Sequence, residues 1–516
     1  MNDYNDSIVD SAEVWIGDTE ISKEEAMKDP SKRFYYLLQT FFKVARMTSK
    51  GNDFMIRLYF HAIMGAYLKD YTINKVAGVS DLRVPIIWIQ NSSSGKSQLN
   101  KCSLDICRKI GIKAIEETSF TEAGMIGQFD RSKHDFNIKN NLKPGETSTS
   151  TKKDGTTRTV SYSPPVIYGD LYHYDLIFVD EGKILFQKTR YTESFLSVLQ
   201  PAMDYPGKVR KKLAAEEPIE YDCACTLVVS TTEWGNVGYD VMSQGFFPRC
   251  LFYMKNLSIS EYLDNVDGLY KTNFDDNLYR KRMTDFADAI EKHPVPVVRE
   301  RRRIFVENEM MPLIHETVRS WFIKLSERLY GNEITIAKSF ASRLQIFVFK
   351  IAGQVAVLNN KLNPHVPGNS VFLAGREEVD YAIGLTNSVF ESLLNSLSVE
   401  EDTESSKMYS TIVRIISSMK SDRVDKLPRV KFIDYIMTYR SCGKQKANKI
   451  YSSMLSANYI KEEMSKEDKT TVVVPNWNIW LNKDKRRRGG NFNEKNDMSK
   501  TQSGDKGVEL PDGFEM

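Results

Sequence analysis

The chain has 516 residues, of which 41% are apolar and 27% are charged. This balance is typical of a folded globular protein and excludes a wholly disordered chain, and at ~100–200 residues per domain the length predicts three or four folding units. The formal net charge of +3 excludes a chain that is basic throughout, so contact with nucleic acid would need local basic patches. The six cysteines form no CxxC pair, which argues against a zinc site or a disulfide framework.

Two further features concern the location of the protein. No apolar run approaches the ~18 residues of a membrane span, and the N-terminus has no basic segment followed by an apolar stretch, so we expect neither a membrane anchor nor a secretory signal. Together with the unpaired cysteines, these features predict a soluble cytoplasmic protein, in the host cytoplasm if the source is viral.

The first predicted region, residues 1–80, is helical. Its first 20 residues are acidic and polar, with little to bury. From residue 23 to about residue 71, apolar residues recur at the spacing of helices. One broad apolar face is formed by Phe34, Leu37, Leu38, Phe41, Phe42 and Val44.

Three short, continuous apolar runs predict buried strands of a parallel sheet. They are Val84–Ile89, Leu176–Val179 and Cys225–Val229, and helix-like segments lie between them. Strands that alternate with helices predict an α/β core over residues 81–265. Inside this core, residues 130–165 are polar, and an Asp-Gly pair between two threonine-rich arms predicts an inserted hairpin or a flexible loop.

The pattern after the core predicts two more folded regions and a tail. Residues 266–400 are helical in pattern and form a predicted lid region, and an acidic, serine-rich linker follows. Residues 407–480 contain three helical segments followed by two strand-like segments, which is the order of a winged helix. Residues 481–516 are low in apolar content, and we expect this tail to be disordered.

The strongest chemical signal is the segment from Gln90 to Ser97, which ends in Gly-Lys-Ser. It directly follows one predicted strand and directly precedes a predicted helix, which is the context of a phosphate-binding loop. In such a loop, backbone N–H groups face the phosphates, the lysine reaches the β- and γ-phosphate oxygens, and the hydroxyl ligates Mg²⁺. We therefore predict that ATP and Mg²⁺ bind here, through Asn91, Ser92, Ser93, Ser94, Gly95, Lys96, Ser97 and Gln98.

The second signal is a pair of acids, Asp180 and Glu181, directly after the second apolar run. Both carboxylates are expected at the carboxyl-terminal edge of a buried strand, where open α/β sheets bind their ligands. Asp180 would hold Mg²⁺, and Glu181 would orient or deprotonate the attacking water. The third run ends in hydroxyl groups, and Thr232 or Glu233 is the candidate for sensing the γ-phosphate, with an ordinary strand end as the alternative.

The order of these parts resembles the AAA+ ATPases, and among them the minichromosome maintenance helicases and related replication ATPases of phages and plasmids. Residues 199–213 resemble the helix and the basic hairpin of those helicases, in which the hairpin projects into the central channel of a ring and grips DNA. Residues 245–252 resemble the segment that carries an arginine finger, here Arg249. A later helix resembles the one that carries the second sensor arginine, here Arg343.

The resemblance covers roughly residues 84–360, and the chain departs from the family at three points. The phosphate loop has Gln90 where the first glycine is usual, the third strand lacks the usual asparagine, and residues 1–80 show no zinc-binding domain. These departures favour a distant relative from a mobile element or a virus over a cellular helicase. The resemblance implies a homo-oligomeric ring, expected as a hexamer, in which Arg249 reaches the γ-phosphate of the neighbouring subunit.

Two local groups of basic residues are candidate DNA contacts. The first group follows a Pro-Gly pair, which we interpret as the tip of a hairpin, and consists of Lys208, Arg210, Lys211 and Lys212. Such a group would neutralise phosphates without reading bases, although a solvated loop carries the same charges. The second group lies on the third helix of the predicted winged helix, a fold that binds either DNA or protein, and consists of Lys444, Lys446 and Lys449.

We therefore expect an ATP-dependent DNA helicase or translocase of a phage or mobile element, working in DNA replication as an oligomeric ring. The tail or the winged helix is a candidate contact for other replication proteins. Two alternatives stay open. One is another nucleic-acid motor, such as a genome-packaging ATPase. The other is a DNA-binding initiator or regulator in which ATP acts as an assembly switch.

Overall fold

The structure is a computed structural model, and it divides into two compact units, one within residues 1–400 and one within residues 401–516. The predicted N-terminal, core and lid regions all belong to the first unit, and the predicted winged helix belongs to the second. The residues that the structure describes are 20–49, 52–75, 78–90, 95–117, 121–151, 156–182, 185, 190–211, 218–232, 245–254, 274–292, 303–329, 332–363, 371–399, 411–412, 415, 419, 426–440, 443–456, 459–464 and 471–475.

The described elements of the first unit alternate between helices and short strands. The helices are α1 Lys23–Lys28, α2 Arg33–Ala45, α3 Asp53–Tyr67, α4 Lys96–Lys109, α5 Glu122–Ile126, α6 Arg131–Lys139, α7 Asp170–His173, α8 Arg190–Ala202, α9 Asp276–Lys292, α10 Met311–Arg328, α11 Asn332–Leu358 and α12 Arg376–Val399. The strands are β1 Thr72–Asn74, β2 Val79–Asp81, β3 Ile86–Ile89, β4 Ala114–Glu117, β5 Gly127–Phe129, β6 Thr147–Thr151, β7 Thr157–Ser161, β8 Val166–Tyr168, β9 Leu176–Val179, β10 Lys208–Lys211, β11 Ile219–Asp222, β12 Thr226–Thr231, β13 Leu251–Met254, β14 Arg303–Val306 and β15 Val371–Ala374.

A central sheet of five parallel strands confirms the predicted α/β core. Its order is β13-β3-β12-β9-β4. The three predicted apolar runs form β3, β9 and β12 in its interior, and every residue of these strands is buried, as expected for a sheet covered on both faces. The sequence analysis did not predict β4 and β13, the two edge strands.

Helices from the predicted N-terminal region pack directly on this sheet. The apolar face predicted for α2 is buried as expected. On α3, the Tyr59 ring stacks on Phe178 of β9 at 5.9 Å and meets Trp88 of β3 edge-on at 5.9 Å. Each buried side chain of this size contributes roughly 1.5–3 kcal/mol of hydrophobic stabilisation. The strand that precedes the phosphate loop is therefore held against helix α3.

A buried ion cluster lies at the amino-terminal edge of the central sheet. Asp81 Oδ2 lies 2.5 Å from Arg83 Nε, and Asp81 Oδ1 lies 3.0 Å from Lys350 Nζ on α11. All three side chains are at most 6% exposed. Arg83 also donates to three backbone carbonyls, those of Ala202, Asp204 and Cys225. The cluster links the start of β3 to α11 and to the chain that follows α8.

A second sheet was not predicted. Strands β15, β14, β1 and β2 pair in that order, although residues 266–400 were predicted to be helical throughout. The prediction failed because β14 and β15 are only four residues long, and so short an apolar run carries no decisive periodicity. Helices α9 to α12 confirm the rest of the helical pattern.

The polar segment at residues 130–165 contains the predicted hairpin. Strands β6 and β7 pair antiparallel, from Thr147 opposite Ser161 to Thr151 opposite Thr157. Helix α6 precedes the hairpin, and the Asp-Gly pair at its turn lies outside the described residues.

The second unit has a hydrophobic core of its own. Its described elements are β16 Leu427–Pro428, α13 Arg429–Arg440, α14 Lys444–Ser456, β17 Ile460–Met464 and β18 Thr471–Pro475. Of the three helices and two strands predicted here, the second and third helices and both strands are confirmed, and the short strand β16 adds an edge to give the order β16-β18-β17. In the first predicted helix, Ile412, Ile415 and Met419 are helical and buried in this core. The predicted tail, residues 481–516, lies outside the described residues.

One described helix is long and apolar enough, by composition alone, to cross a membrane. It is the segment Ile334–Leu358 of α11, but 78% of its most apolar window is buried inside the protein. The helix therefore belongs to the hydrophobic core of the first unit.

Candidate nucleotide and metal site

Three of the predicted site residues, Lys96, Ser97 and Asp180, meet at one edge of the central sheet. Parallel strands all end at the same edge, and the register aligns Ile89 with Thr231 and Val229 with Val179. The predicted phosphate loop follows β3 at this edge, Asp180 follows β9, and β12 lies between β3 and β9. The sheet therefore brings together motifs that are 83 positions apart in the chain.

The phosphate loop enters helix α4 through a glycine. Gly95 has φ +85° and is the N-cap of this 14-residue helix. A Cβ at Gly95 would lie 3.0 Å from the Ser49 hydroxyl, so both the backbone conformation and the space favour glycine here. The backbone N–H groups in the first turn of a helix such as α4 have no acceptor within the helix itself, and they attract anions. Gln98 is exposed, and the predicted contacts Asn91, Ser92, Ser93 and Ser94 lie outside the described residues.

Lys96 is a buried cation at the start of α4. The residue is only 6% exposed. Its ammonium group donates to the backbone carbonyl of Gln90 and lies 6.0 Å from the centre of the Trp88 ring. Burial lowers the pKa of Lys96 to about 8, and the nearby Asp180 carboxylate opposes this shift. A buried ammonium group beside a helix N-terminus is suited to an anionic ligand.

Ser97 and Asp180 form the candidate metal position. The Ser97 hydroxyl donates to Asp180 Oδ2 at 2.7 Å, and both side chains are half-buried. Magnesium prefers oxygen ligands and is usually held by one or two protein groups together with substrate phosphates and water, so this pair fits Mg²⁺. Among the residues that the structure describes, no cluster of three or more His, Cys, Asp or Glu could hold a metal by itself.

A chain of buried hydrogen bonds reaches Asp180 from helix α3, and the sequence analysis missed it. The Tyr59 hydroxyl donates to Asn100 Oδ1 at 2.7 Å, and Asn100 Nδ2 lies 3.5 Å from Ser230 Oγ. The Ser230 hydroxyl lies 3.1 Å from Asp180 Oδ1. Burial raises the pKa of Tyr59 well above its usual value, so its hydroxyl stays protonated and donates. No local sequence pattern could have indicated these residues, because they come from three separate elements.

Further carboxylates lie near Asp180. Glu181 is exposed and adopts φ +58°, a left-handed conformation that is uncommon outside glycine and that is often found at functional sites. At the end of β4, burial raises the pKa of Glu116 and Glu117, with repulsion from Asp180 contributing for Glu116. The backbone N–H of Asp180 donates to the Glu117 carbonyl at 3.2 Å. The two β4 acids were not predicted, because the half-buried strand that carries them has no clear sequence signal.

The predicted γ-phosphate sensor lies at the end of β12. Thr232 is half-buried there, and Glu233 lies outside the described residues. Thr231, which precedes Thr232, is 1% exposed. Within the described chain, neither the Thr231 hydroxyl nor the Gln90 side-chain carbonyl has a hydrogen-bond partner. Buried polar atoms of this kind usually have a partner, often a ligand or a water. Thr231 is therefore a second candidate, one position from the predicted residue.

The two predicted catalytic arginines lie away from this edge. Arg249 precedes β13, whose first residue is paired with Ile86, so it lies at the amino-terminal edge of the sheet, about one strand length of roughly 13 Å from the phosphate loop. Its Nε and Nη2 atoms each lie 2.8 Å from an Asp204 carboxylate oxygen, and Arg343 Nη1 lies 3.7 Å from the same carboxylate. The structure therefore brings the two arginines together but does not bring them to the site of their own subunit.

The first basic group lies along a strand. Lys208, Arg210 and Lys211 belong to β10, which pairs antiparallel with β11, so they lie along one arm of a hairpin. The turn that follows Lys211, with Lys212, lies outside the described residues. Period-two alternation exposes Lys208 and Arg210 and half-buries Lys211. Acidic partners offset two of these charges, because Arg210 lies 3.4 Å from Glu220 and Lys211 lies 3.4 Å from Glu122.

The second basic group is on the surface of the second unit. Lys444, Lys446 and Lys449 are all exposed on α14. The opposite face of the helix is buried and consists of Ala447, Ile450, Tyr451 and Met454.

Neither a family model nor a curated protein matches the chain, so its function is inferred from the residues described above.

Proposed function

We propose that the first unit is an ATPase that binds Mg²⁺-ATP at the carboxyl-terminal edge of its central sheet. The observation that carries the proposal is the 2.7 Å hydrogen bond between Ser97 and Asp180, with the buried Lys96 ammonium beside it. A serine-rich loop that contained Gly-Lys-Ser by chance would have no reason to meet an acidic strand end. The fold thus supports two motifs that were found independently in the sequence.

The residues of the site have separate roles in this proposal. The N-terminus of α4 and Lys96 bind the β- and γ-phosphates, and Ser97 and Asp180 hold the metal. The Mg²⁺ ion would neutralise the charge that develops on the phosphate oxygens. Glu181 orients the attacking water, and Thr231 or Thr232 donates a hydroxyl hydrogen to the γ-phosphate.

A finer proposal assigns the unit to an AAA+-like arrangement. The third strand, β12, lies between the loop strand and the acidic strand, where the resemblance requires a sensor strand. Arg249 and Arg343 lie at the far edge of the sheet, which supports a role toward the nucleotide of a neighbouring subunit in a homo-oligomer, expected as a hexamer.

We further propose that ATP hydrolysis drives movement on DNA during the replication of a phage or mobile element. The hairpin of β10 and β11 exposes Lys208 and Arg210, and the second unit has the element order of a winged helix, which supports DNA contact. An ATP-switched DNA-binding regulator is the second candidate. The pairing of Arg210 with Glu220 and of Lys211 with Glu122 favours it, because it leaves less free charge on the hairpin.

ATP turnover in three variants tests the ATPase proposal. Lys96→Ala should lose nucleotide binding, whereas Glu181→Gln should bind ATP and fail to hydrolyse it, because only the water-orienting carboxylate is changed. Lys109→Ala is the matched control, since this lysine is exposed at the other end of the same helix, and it should resemble the wild type. Near wild-type turnover in both site variants would rule out the ATPase.

DNA-stimulated turnover separates the motor from the switch. If the hairpin moves DNA, the double variant of Lys208 and Arg210 to alanine should lose stimulation while it keeps basal turnover. If the protein is instead an ATP-switched regulator that binds DNA through its second unit, this variant should bind DNA normally. In that case binding should fall in the variant that replaces Lys444, Lys446 and Lys449 with alanine.

A further inference from the structure

We propose that Tyr59 is a positioning residue for the metal-binding carboxylate, acting through Asn100 and Ser230 to fix the orientation of Asp180. The inference deepens the proposed ATPase function and rests on it. Tyr59 belongs to helix α3, outside the sheet and outside both nucleotide motifs. It would link this helix to the binding of Mg²⁺ at the sheet edge.

The four groups form one chain with a single direction of donation. Tyr59 OH donates to Asn100 Oδ1 at 2.7 Å, Asn100 Nδ2 donates to Ser230 Oγ at 3.5 Å, and the Ser230 hydroxyl donates to Asp180 Oδ1 at 3.1 Å. Tyr59, Asn100 and Ser230 are fully buried, so water cannot replace a missing donor. The other oxygen of Asp180, Oδ2, accepts from Ser97.

The direction of this chain depends on the Tyr59 hydroxyl. By donating to Asn100 Oδ1, it sets which side of the amide carries the oxygen, and it turns the amide N–H groups toward Ser230 and the Glu116 carboxylate. Ser230 then accepts from Asn100, and its single hydrogen goes to Asp180 Oδ1 at 3.1 Å in preference to the more distant Val179 carbonyl at 3.4 Å. Without the Tyr59 hydroxyl, only the Glu116 carboxylate still opposes rotation of the amide, and an amide that has turned over presents its oxygen to Ser230. The Ser230 hydrogen would then go to Asn100, and Asp180 would lose a donor.

A purely structural role for Tyr59 makes a different prediction. Its ring already packs on Trp88 and Phe178, and phenylalanine would keep those contacts. If the hydroxyl only satisfies a buried polar group, Tyr59→Phe should lower stability and leave metal binding unchanged. If the hydroxyl positions Asp180, the variant should bind Mg²⁺ more weakly at the nucleotide site.

The test measures Mg²⁺-dependent binding of a fluorescent, non-hydrolysable ATP analogue to the full chain. In Tyr59→Phe and in Ser230→Ala, the Mg²⁺ concentration for half-maximal tight binding should rise about three- to tenfold, the usual effect of one lost hydrogen bond. Affinity for the analogue without metal should stay unchanged, because the phosphate contacts of Lys96 are intact. The double variant should need no more Mg²⁺ than Ser230→Ala alone, since both changes break the same chain of hydrogen bonds.

The matched control is Tyr221→Phe, which removes a buried hydroxyl that donates to the Ile126 carbonyl at 3.0 Å, away from Asp180. A Tyr59→Phe protein that needs no more Mg²⁺ than this control would overturn the inference, as would additive losses in the double variant. Should Tyr59→Phe fail to fold, Ser230→Ala makes the same prediction for Mg²⁺. A wild-type protein that binds no nucleotide would instead overturn the proposed ATPase and this inference with it.

Discussion

Replacement of Lys96 by methionine should stabilise the nucleotide-free protein while it removes nucleotide binding. Burial lowers the pKa of Lys96 from 10.5 to about 8. A shift of this size corresponds to roughly 3 kcal/mol of unfavourable free energy for the charged side chain. Methionine also loses the hydrogen bond from the Lys96 ammonium to the Gln90 carbonyl, which offsets part of this gain. We therefore expect Lys96→Met to raise the free energy of unfolding by about 1–2 kcal/mol.

The effect should depend on pH with a definite sign. The pKa of Lys96 is lower in the folded protein than in the unfolded chain, so between about pH 8 and pH 10.5 the unfolded chain binds more protons. Stability of the wild type therefore rises with pH across this window. The gain in the free energy of unfolding from Lys96→Met should be largest below about pH 8 and should shrink as the pH approaches 10.5.

Urea denaturation without nucleotide, at about pH 7 and about pH 10, measures both effects. A second series with Mg²⁺-ATP should stabilise the wild type and leave Lys96→Met unchanged, because only a protein that binds the ligand gains from it. Lys109→Met, at an exposed position of the same helix, should match the wild type in both series. A Lys96→Met protein that is less stable than the wild type near pH 7, or that is stabilised by Mg²⁺-ATP, would refute the reasoning.

Three other groups of the first unit give further predictions. Asp81→Asn should lower the free energy of unfolding in urea by about 3–5 kcal/mol, because it leaves two buried cations without their carboxylate; a loss below about 1 kcal/mol would contradict this. An inactive Arg249→Ala protein mixed with inactive Lys96→Ala should regain ATP turnover at mixed interfaces, and verified mixed oligomers without turnover would exclude the role in trans. Burial lowers the pKa of His61 to about 4, so stability should fall as the pH drops from about 6.5 to 4, since the unfolded chain is protonated first; the drop should be smaller in His61→Gln.

The sequence predicted the centre of the sheet better than its edges. Strands β3, β9 and β12 are buried on both faces, and their continuous apolar runs record that burial. Strand β4 reads Ala-Ile-Glu-Glu and is only half-buried, so its composition gives no such signal. The second sheet was missed for a related reason, because its short strands come from segments far apart in the chain.

The residues of the candidate site likewise fall into two groups, those in local motifs and those brought together by long-range contacts. Lys96, Ser97 and Asp180 belong to local motifs, and their proximity could be predicted because strand, loop and helix follow one another in the sequence. Tyr59 and Ser230 were missed, since their contacts join positions 41 and 130 residues apart in the pairs with Asn100. The acidic partners of the basic hairpin group, Glu220 and Glu122, were not predicted, because a cluster of lysines and arginines does not encode the register of its strand.

The most direct test of the central claim is an experimental structure with Mg²⁺ and a non-hydrolysable ATP analogue. The account predicts the triphosphate at the N-terminus of α4, with the Lys96 ammonium turned from the Gln90 carbonyl to the β- and γ-phosphates. It also predicts Mg²⁺ beside Ser97 and Asp180. An analogue bound elsewhere on the chain, or a site that stays empty at saturating Mg²⁺-nucleotide, would contradict it.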